Sequence, residues 1–443
     1  MNRYTWLMIL GLVAAAPVAL AAQELTLDQA VLAALSQNAA LRASRAASTE
    51  ATANVTDARS GFFPRASFTE SWQRGDQPVF VFSSLLASRR FAAENFAVEA
   101  LNHPDPVGYF HSTLAVEQTL FDGGRRRASV DAARLRREVA VLSTDQAAAG
   151  LALATTLTFG RILTAQSAGR AADAGVAAVR EDLARAERRR DAGMATDADV
   201  LALAVSLAGL QQRAIQAAGD AAVARAELNH LMGAPIARDF QVLEPPDAVS
   251  GVGADTSLEL LLAEADRARP ELLRAAAGER LAETARRQAR SAFVPQVVAQ
   301  AAYDVSGTRV NDRAGSWLAG GELRWTFSTG GAEHAQARGA AAAMVRARAE
   351  TDEARSAVHV EVVTALRRLE AARARQASGL AAVAGARESQ RIIRDRFDAG
   401  MAGVNDVLRA STAVLDAETQ RMSAKVDAMG SEALLKRALG RTP

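Results

Sequence analysis

The chain has 443 residues, a formal net charge of +2 and no cysteine. Without thiols, a disulfide framework, zinc-ribbon or iron–sulfur sites and a lipidated N-terminal cysteine are all excluded. The 52 basic and 50 acidic residues balance, so no whole-chain field is directed at nucleic acid or anionic lipid. Alanine predominates and, with Leu, Arg and Glu, points to long helices packed at short range.

Residues 1–21 read as an export signal. Arg3 is the basic start, Trp6 to Val18 form the apolar stretch, and Ala19-Leu20-Ala21 is a small-x-small cleavage site. The apolar run is too short for a membrane anchor, and nothing after it approaches the ~18 continuous apolar residues of a spanning helix.

The remainder is written twice. Arg189-Arg190-Asp191-Ala192-Gly193-Met194-Ala195 recurs as Arg396-Phe397-Asp398-Ala399-Gly400-Met401-Ala402, an offset of 207 shared by Asp199/Asp406, Gly123/Gly330 and Gly233/Gly440. Upstream the offset is 231: Ala58 to Pro64 matches Ala289 to Pro295. The difference, 24 residues, is an excess in the first copy between Pro64 and Gly123. The first repeat is predicted over 22–240 and the second over 258–443. A Pro/Gly-rich linker at 241–257 (Glu244-Pro245-Pro246, Gly251 to Gly253) joins them.

Each repeat opens with a helix. Leu27, Val31, Leu35 and Leu41 keep helical spacing and predict one helix running to Ala58, stopped by Pro64. Leu258, Leu262, Leu272 and Leu273 do the same before Pro295, with a break at Pro270. A strand pair follows, within 66–121 and within 297–328. Alternation is clearest from Trp317 to Ser328, where Trp317, Leu323, Trp325 and Phe327 share one face and Glu322, Arg324, Thr326 and Ser328 the other. Ala66 to Gln73 is less regular, because Glu70 shares a face with Phe68 and Trp72. The extra segment near Phe80 to Phe96 enlarges an outer loop, and its Phe82, Leu85, Leu86 and Phe91 suit a fold over the mouth. Proline then disappears. The stretch Gly123 to Gly193, and Gly330 to Gly400 after it, predicts a rod of roughly 105 Å that turns at its glycine and returns. The helical hairpins thus cover 123–235 and 330–440.

Rods of this kind leave little globular core to cover a sheet. An apolar-faced sheet in lipid must close, because each unpaired edge group costs several kcal/mol. Four strands per chain are fewer than the ~8 of the smallest bacterial barrels, so two or more chains must pool them. The fold class is therefore mainly α with a small β part: long helical hairpins forming an α-barrel, plus a transmembrane β-barrel shared between protomers.

Several segments together resemble the TolC-family outer-membrane efflux proteins. They are the Leu25-Thr26-Leu27…Ala30 opening, Ser60-Gly61-Phe62-Phe63-Pro64, Leu120-Phe121-Asp122-Gly123-Gly124 and Gly400…Asp406-Val407-Leu408. The resemblance covers nearly all of the chain beyond residue 21. It implies a homotrimer with a twelve-stranded barrel in outer-membrane lipid and a helical tunnel through the periplasm, with the linker in an equatorial region. It also implies passive exit, in multidrug or solute efflux or in type I protein secretion. The implied partners are a periplasmic adaptor (membrane fusion protein) and an inner-membrane transporter of RND or ABC type.

By the same resemblance, Gly193, Met194, Gly400 and Met401 form the periplasmic tip and adaptor-docking turn. Asp406, with its repeat counterpart Asp199 and with Asp197, lines the entrance. The plainer reading is that Asp199 and Asp406 cap the returning helices. Pro64, Pro295, Gly123, Gly124, Gly330 and Gly331 mark the strand-to-helix junctions. The sequence departs from the family where a Tyr and an Arg hold the gate shut, having Phe397 and Ala402, and Arg409 replaces a second gate Asp. Closure is then expected to be looser or to rest on apolar packing.

No cofactor, metal or catalytic constellation is expected: His103, His111, His230, His334 and His359 lack ligand spacing. Arg125 to Arg127 and Arg188 to Arg190 read as solvated helix ends rather than nucleic-acid contacts. The rival class is a soluble periplasmic coiled-coil adaptor or scaffold, which predicts one hairpin flanked by compact β domains rather than two equivalent hairpins.

Overall fold

The computed structural model describes residues 23–246 and 257–441; the segment 1–21, expected to be an export signal, and residues 247–256 of the linker lie outside the described residues. In chain order, β1 (Gln23–Leu25) leads into α1 (Leu27–Gln37) and α2 (Ala39–Ser60). Between β2 (Arg65–Gly75) and β3 (Val107–Phe121) lie α3 (Pro78–Ala87), a 3-10 turn at Ala93–Phe96 and α4 (Val98–Asn102). The first long hairpin is α5 (Arg125–Asp191) and α6 (Asp197–Met232), followed by β4 (Phe240–Val242). The second half runs α7 (Leu258–Ala268), α8 (Pro270–Ser291), β5 (Gln296–Arg309), β6 (Asp312–Arg324), α9 (Ala332–Asp398) and α10 (Val404–Ala438).

α5 and α9 have 67 residues each, about 100 Å at the α-helical rise. They form one wall, not a bundle. Toward the sheet the helices neighbour one another in the order α2, α5, α8, α9; toward the far end the order is α6, α5, α10, α9. Both arrangements have α9 at one edge and a first-repeat helix at the other.

The opening helix is not continuous to Ala58. It breaks at Asn38, which accepts from the Leu41 amide (3.0 Å) and donates to the Leu231 carbonyl (2.9 Å). The equivalent break in the second half is at Arg269, which the next residue, Pro270, forces into an extended conformation. Arg269 is buried, donates to the Arg437 carbonyl (2.8 Å) and pairs with Glu361 (2.5 Å) and Glu271 (3.0 Å). Both break residues thus tie their kink to the end of a returning helix. Proline announces one break in the sequence; an asparagine cap makes the other without it.

Two cores lie where the short helices cross the long ones. One gathers Leu25, Ala30, Phe159, Ile162, Leu228, Met232, Phe240 and Val242 around the parallel pair β1–β4. The other gathers Leu261, Val362, Leu366, Leu369, Leu435 and Leu439. At corresponding positions the first core has Ala30 and Phe159, and the second has Leu261 and Leu366. Side-chain bulk is exchanged between helices while the space is filled in both. Part of α5 is long and apolar enough by composition to cross a membrane. Its Phe159, Ile162 and Leu163 are buried in the first core, so that apolarity serves packing. Gly233 (φ +68°) and Gly440 (φ +72°) end α6 and α10 against the last turns of α1 and α7. A Cβ there would lie 2.5 Å from the Gln37 carbonyl oxygen and 2.6 Å from that of Ala268.

The four long strands form one antiparallel sheet in the order β2-β3-β5-β6, with β2 and β6 at its edges. β6 stops at Arg324, short of the Ser328 to which alternation extended, because its partner begins only at Gln296, after Pro295. Trp325 and Phe327 continue past the ladder, ring against ring at 5.7 Å.

Candidate functional site

The register sorts the sheet into two faces. Phe68, Leu114, Tyr303 and Trp317 form one row and Val116, Ala301 and Ala319 another on the same face; Trp317 is 78% exposed and Phe68 70%. The opposite face carries Thr69, Thr113, Asp304 and Ser316 in one row and Ser71, His111 and Ser306 in the next. There Thr113 donates to Asp304 (2.6 Å), Tyr109 donates to Ser306 (2.9 Å), and His111 Nδ1 bonds the same Ser306 hydroxyl (2.9 Å). An exposed apolar face backed by a hydrogen-bonded polar one suits lipid outside and water inside.

One polar cluster interrupts the apolar face. Glu70 pairs with Arg313 (3.1 Å), which donates to Ser112 (2.6 Å) and stands over the Phe110 ring at 5.4 Å. Glu70 is visible in sequence as a break in alternation; its partner, 243 residues away, is not.

Pro64 and Pro295 precede β2 and β5, and Gly124 and Gly331 are the N-caps of α5 and α9. The buried Asp122 carboxylate accepts from the Gly124 amide (3.1 Å) and from the Arg126 amide and Nε (both 2.9 Å). A Cβ on Gly123 would lie 3.0 Å from that of Val294, so the first-repeat junction rests on the end of α8. Gly330 precedes the α9 cap, where Ser328 donates its amide to Glu333 (3.0 Å).

At the far end both hairpins turn alike. Gly193 (φ +70°) and Gly400 (φ +73°) are left-handed, and the Met194 and Met401 amides donate back to the Arg189 carbonyl (2.7 Å) and the Arg396 carbonyl (2.8 Å). This is the glycine-dependent closure of a helix C-terminus. It leaves Met194 and Met401 on the outermost surface, both largely exposed. Asp199 accepts from the Thr196 amide (3.1 Å) and hydroxyl (2.8 Å); Asp406 accepts from the Gly403 amide (3.1 Å) and pairs with Arg409 (2.8 Å). Both carboxylates therefore engage the starts of α6 and α10. Asp197 lies exposed in the first turn of α6.

Phe397 joins an apolar cluster drawn from all four helices of the end: Val179, Ala186, Leu203, Leu210 and Val404 buried, with Leu408 and Leu415 against them. Arg189 stacks over the Phe397 ring at 5.1 Å. Deeper in, buried Asp182 pairs with Arg185 and faces Arg394 at 3.9 Å. Its hydrogen bond to Arg185 raises that guanidinium's pKa above its ordinary value. The repeats and motifs of the sequence contain Phe397, Arg189 and Leu408, but nothing in them indicates that these residues meet, and Asp182 and Arg394 carry no sequence signal. No group of three His, Asp or Glu able to hold a metal exists among the described residues.

The sequence profile of the outer membrane efflux protein family matches residues 30–234 and 261–441. Among solved structures, the chain is similar to a membrane protein from Pseudomonas aeruginosa (TM-score 0.79, 20% identity, 94% of this chain and 93% of that one). It is similar also to the VceC outer membrane protein of Vibrio cholerae (0.76, 17%, 94% and 96%) and the CmeC outer membrane channel of Campylobacter jejuni (0.78, 15%, 94% and 85%). At these identities the likeness is one of fold. No curated protein sequence matches significantly.

Proposed function

The chain belongs to the outer membrane efflux protein family, and from that premise we propose that three copies close into one duct through the outer membrane and the periplasm. Membership makes it an outer-membrane channel component and not an enzyme, and sets aside the soluble adaptor or scaffold. The observation that carries the trimer is the pair of unpaired sheet edges, β2 and β6, continued below by helix edges α6 and α9. The edges differ, so association is head-to-tail and must close in a ring. Two copies would supply eight strands, a barrel whose interior side chains fill. Three supply twelve and leave a lumen. Exposed Leu201, Val205 and Ile215 on α6 and Leu380 and Ile392 on α9 then become interface residues.

In this reading an inner-membrane transporter of the RND or ABC type delivers solutes, drugs or a secreted protein, and a periplasmic adaptor grips the tip. Gly193 and Gly400 set the two tip turns, and Met194 and Met401 offer apolar anchors to the adaptor. Asp406, Asp199 and Asp197, repeated three times, put carboxylates around the entrance, although Arg409 partly neutralises Asp406. Phe397 and its apolar neighbours hold the hairpins together where Tyr and Arg links are missing. Measuring the mass of the detergent-extracted, heat-modifiable complex tests the reading: a trimer is expected, and a monomer that is stable without detergent overturns it.

A further inference from the structure

The excess segment between β2 and β3 is folded, and it lies on one side of the sheet. Gly75 belongs to the polar-face row, and a Cβ there would meet the Phe80 ring at 3.6 Å. That ring stands edge-on to Tyr109, 6.1 Å away, on the same polar face. α3 therefore lies against the water-facing side and packs on β3 and β5, with Val81 and Ser84 buried beneath it. Phe82, Phe91 and Phe96 form a chain of edge-to-face rings (4.7 and 5.0 Å) that binds helix and following loop into one body.

The end of α3 is fastened to the far side of the sheet. Arg89 has φ +54°, the single left-handed non-glycine among the described residues, a conformation that costs about 1 kcal/mol or more and persists where surroundings enforce it. Its guanidinium donates to the Gly315 carbonyl on β6 (2.9 Å). Arg90 donates to the Thr308 hydroxyl (2.6 Å) and pairs with Asp312, bracketing the β5–β6 turn. The segment thus starts at β2, passes over β3 and β5 and is latched at β6.

We propose that this segment is an inward cap that constricts the outer mouth of the channel, with Arg90–Asp312 as its latch. The inference rests on the trimeric channel reading: three caps, one per protomer, converge over one lumen. The outer end is then a second constriction, built from the residues that the first repeat has and the second lacks, and independent of the tip. The apolar side chains it leaves exposed are Val79, Leu86, Phe96 and Val98, so in the closed position it sets a poorly hydrated surface across the outer end, against the passage of hydrated solutes.

The chain's lack of cysteine makes the test direct. Ala302 lies on the water-facing side of β5, deeper than Ser306. In the Ala302→Cys protein on whole cells, a membrane-impermeant thiol reagent added outside should react slowly. Arg90→Ala or Asp312→Ala should speed labelling about two- to fivefold, the range for an exposed pair. Replacing 77–104 by a short Gly-Ser turn should speed it further and raise single-channel conductance. Equal labelling rates in all these proteins, with the oligomer intact on gels, would overturn the cap. Should the deletion fail to assemble, the two latch variants, at exposed positions, carry the test alone. A parent protein that forms no channel would instead overturn the reading on which the cap rests.

Discussion

Gly440 shows how one residue can be required twice. Its φ of +72° disfavours a side chain, and the Ala268 carbonyl occupies the space a Cβ would take. Gly440→Ala is expected to cost about 2 kcal/mol or more, read as a lowered midpoint in thermal or denaturant unfolding. Gly233→Ala should do the same against Gln37. A titratable pair nearby gives a pH signature. Arg441 bonds Glu264 at 2.7 and 2.9 Å and holds its carboxyl below the ordinary value of 4.5. A depressed folded pKa means that the contribution is complete above pH 4.5 and is lost as the pH falls through the lower, folded value. Glu264→Gln should therefore melt below the parent at pH 7, and the gap should close as the pH is taken below 4.5; a gap independent of pH would deny the pair its role. At the tip, Asp406→Ala should reduce cation preference in planar bilayers, and only modestly because Arg409 already pairs with it. Unchanged preference would remove Asp406 from the pathway.

Among the elements, the two repeats reach the same crossing by different side chains. Ala30 and Phe159 share the first core where Leu261 and Leu366 share the second. Ala30→Leu alone overfills its site and should cost about 1–3 kcal/mol, and Phe159→Leu alone leaves a gap. The double variant reproduces this pair of positions as the second core has it, so it should recover part of both losses as a favourable coupling energy in a double-mutant cycle. The kinks diverge more sharply. Arg269 is buried between two carboxylates and a carbonyl, so Arg269→Ala leaves Glu271 without its partner and Glu361 with only the longer contact to Arg437 (3.9 Å), and should destabilise by about 1–3 kcal/mol. Asn38→Ala loses a cap worth about 1 kcal/mol. Pro270 made one kink legible beforehand. The other left only a faint trace, the six-residue step from Leu35 to Leu41 that falls off the i+3/i+4 face, and the competing bonds of Asn38 arise only once Leu231 is beside it.

For the whole molecule, the arrangement of strands and rods follows from periodicity. Alternation over β6, the absence of proline through both long helices and the glycine at each turn are local signals, and local signals survive in a sequence. Duplication makes them firmer, because each element is stated twice at a constant offset. What sequence determined by itself was therefore the long rods, the strands and the apolar face of the sheet, but not the split at Asn38, the short pair β1–β4 or the helices of the extra segment. Tertiary structure alone decided the partners: Glu70 with Arg313, Asp182 with Arg394, Arg90 with Asp312, and Phe397 among the apolar residues of both hairpins. It also decided that the extra segment packs on the polar face of the sheet. These are pairings between residues mostly hundreds of positions apart, brought together by the packing of rigid elements. Side-chain spacing reports which face a residue occupies, but carries no record of what a second, distant element will set against it.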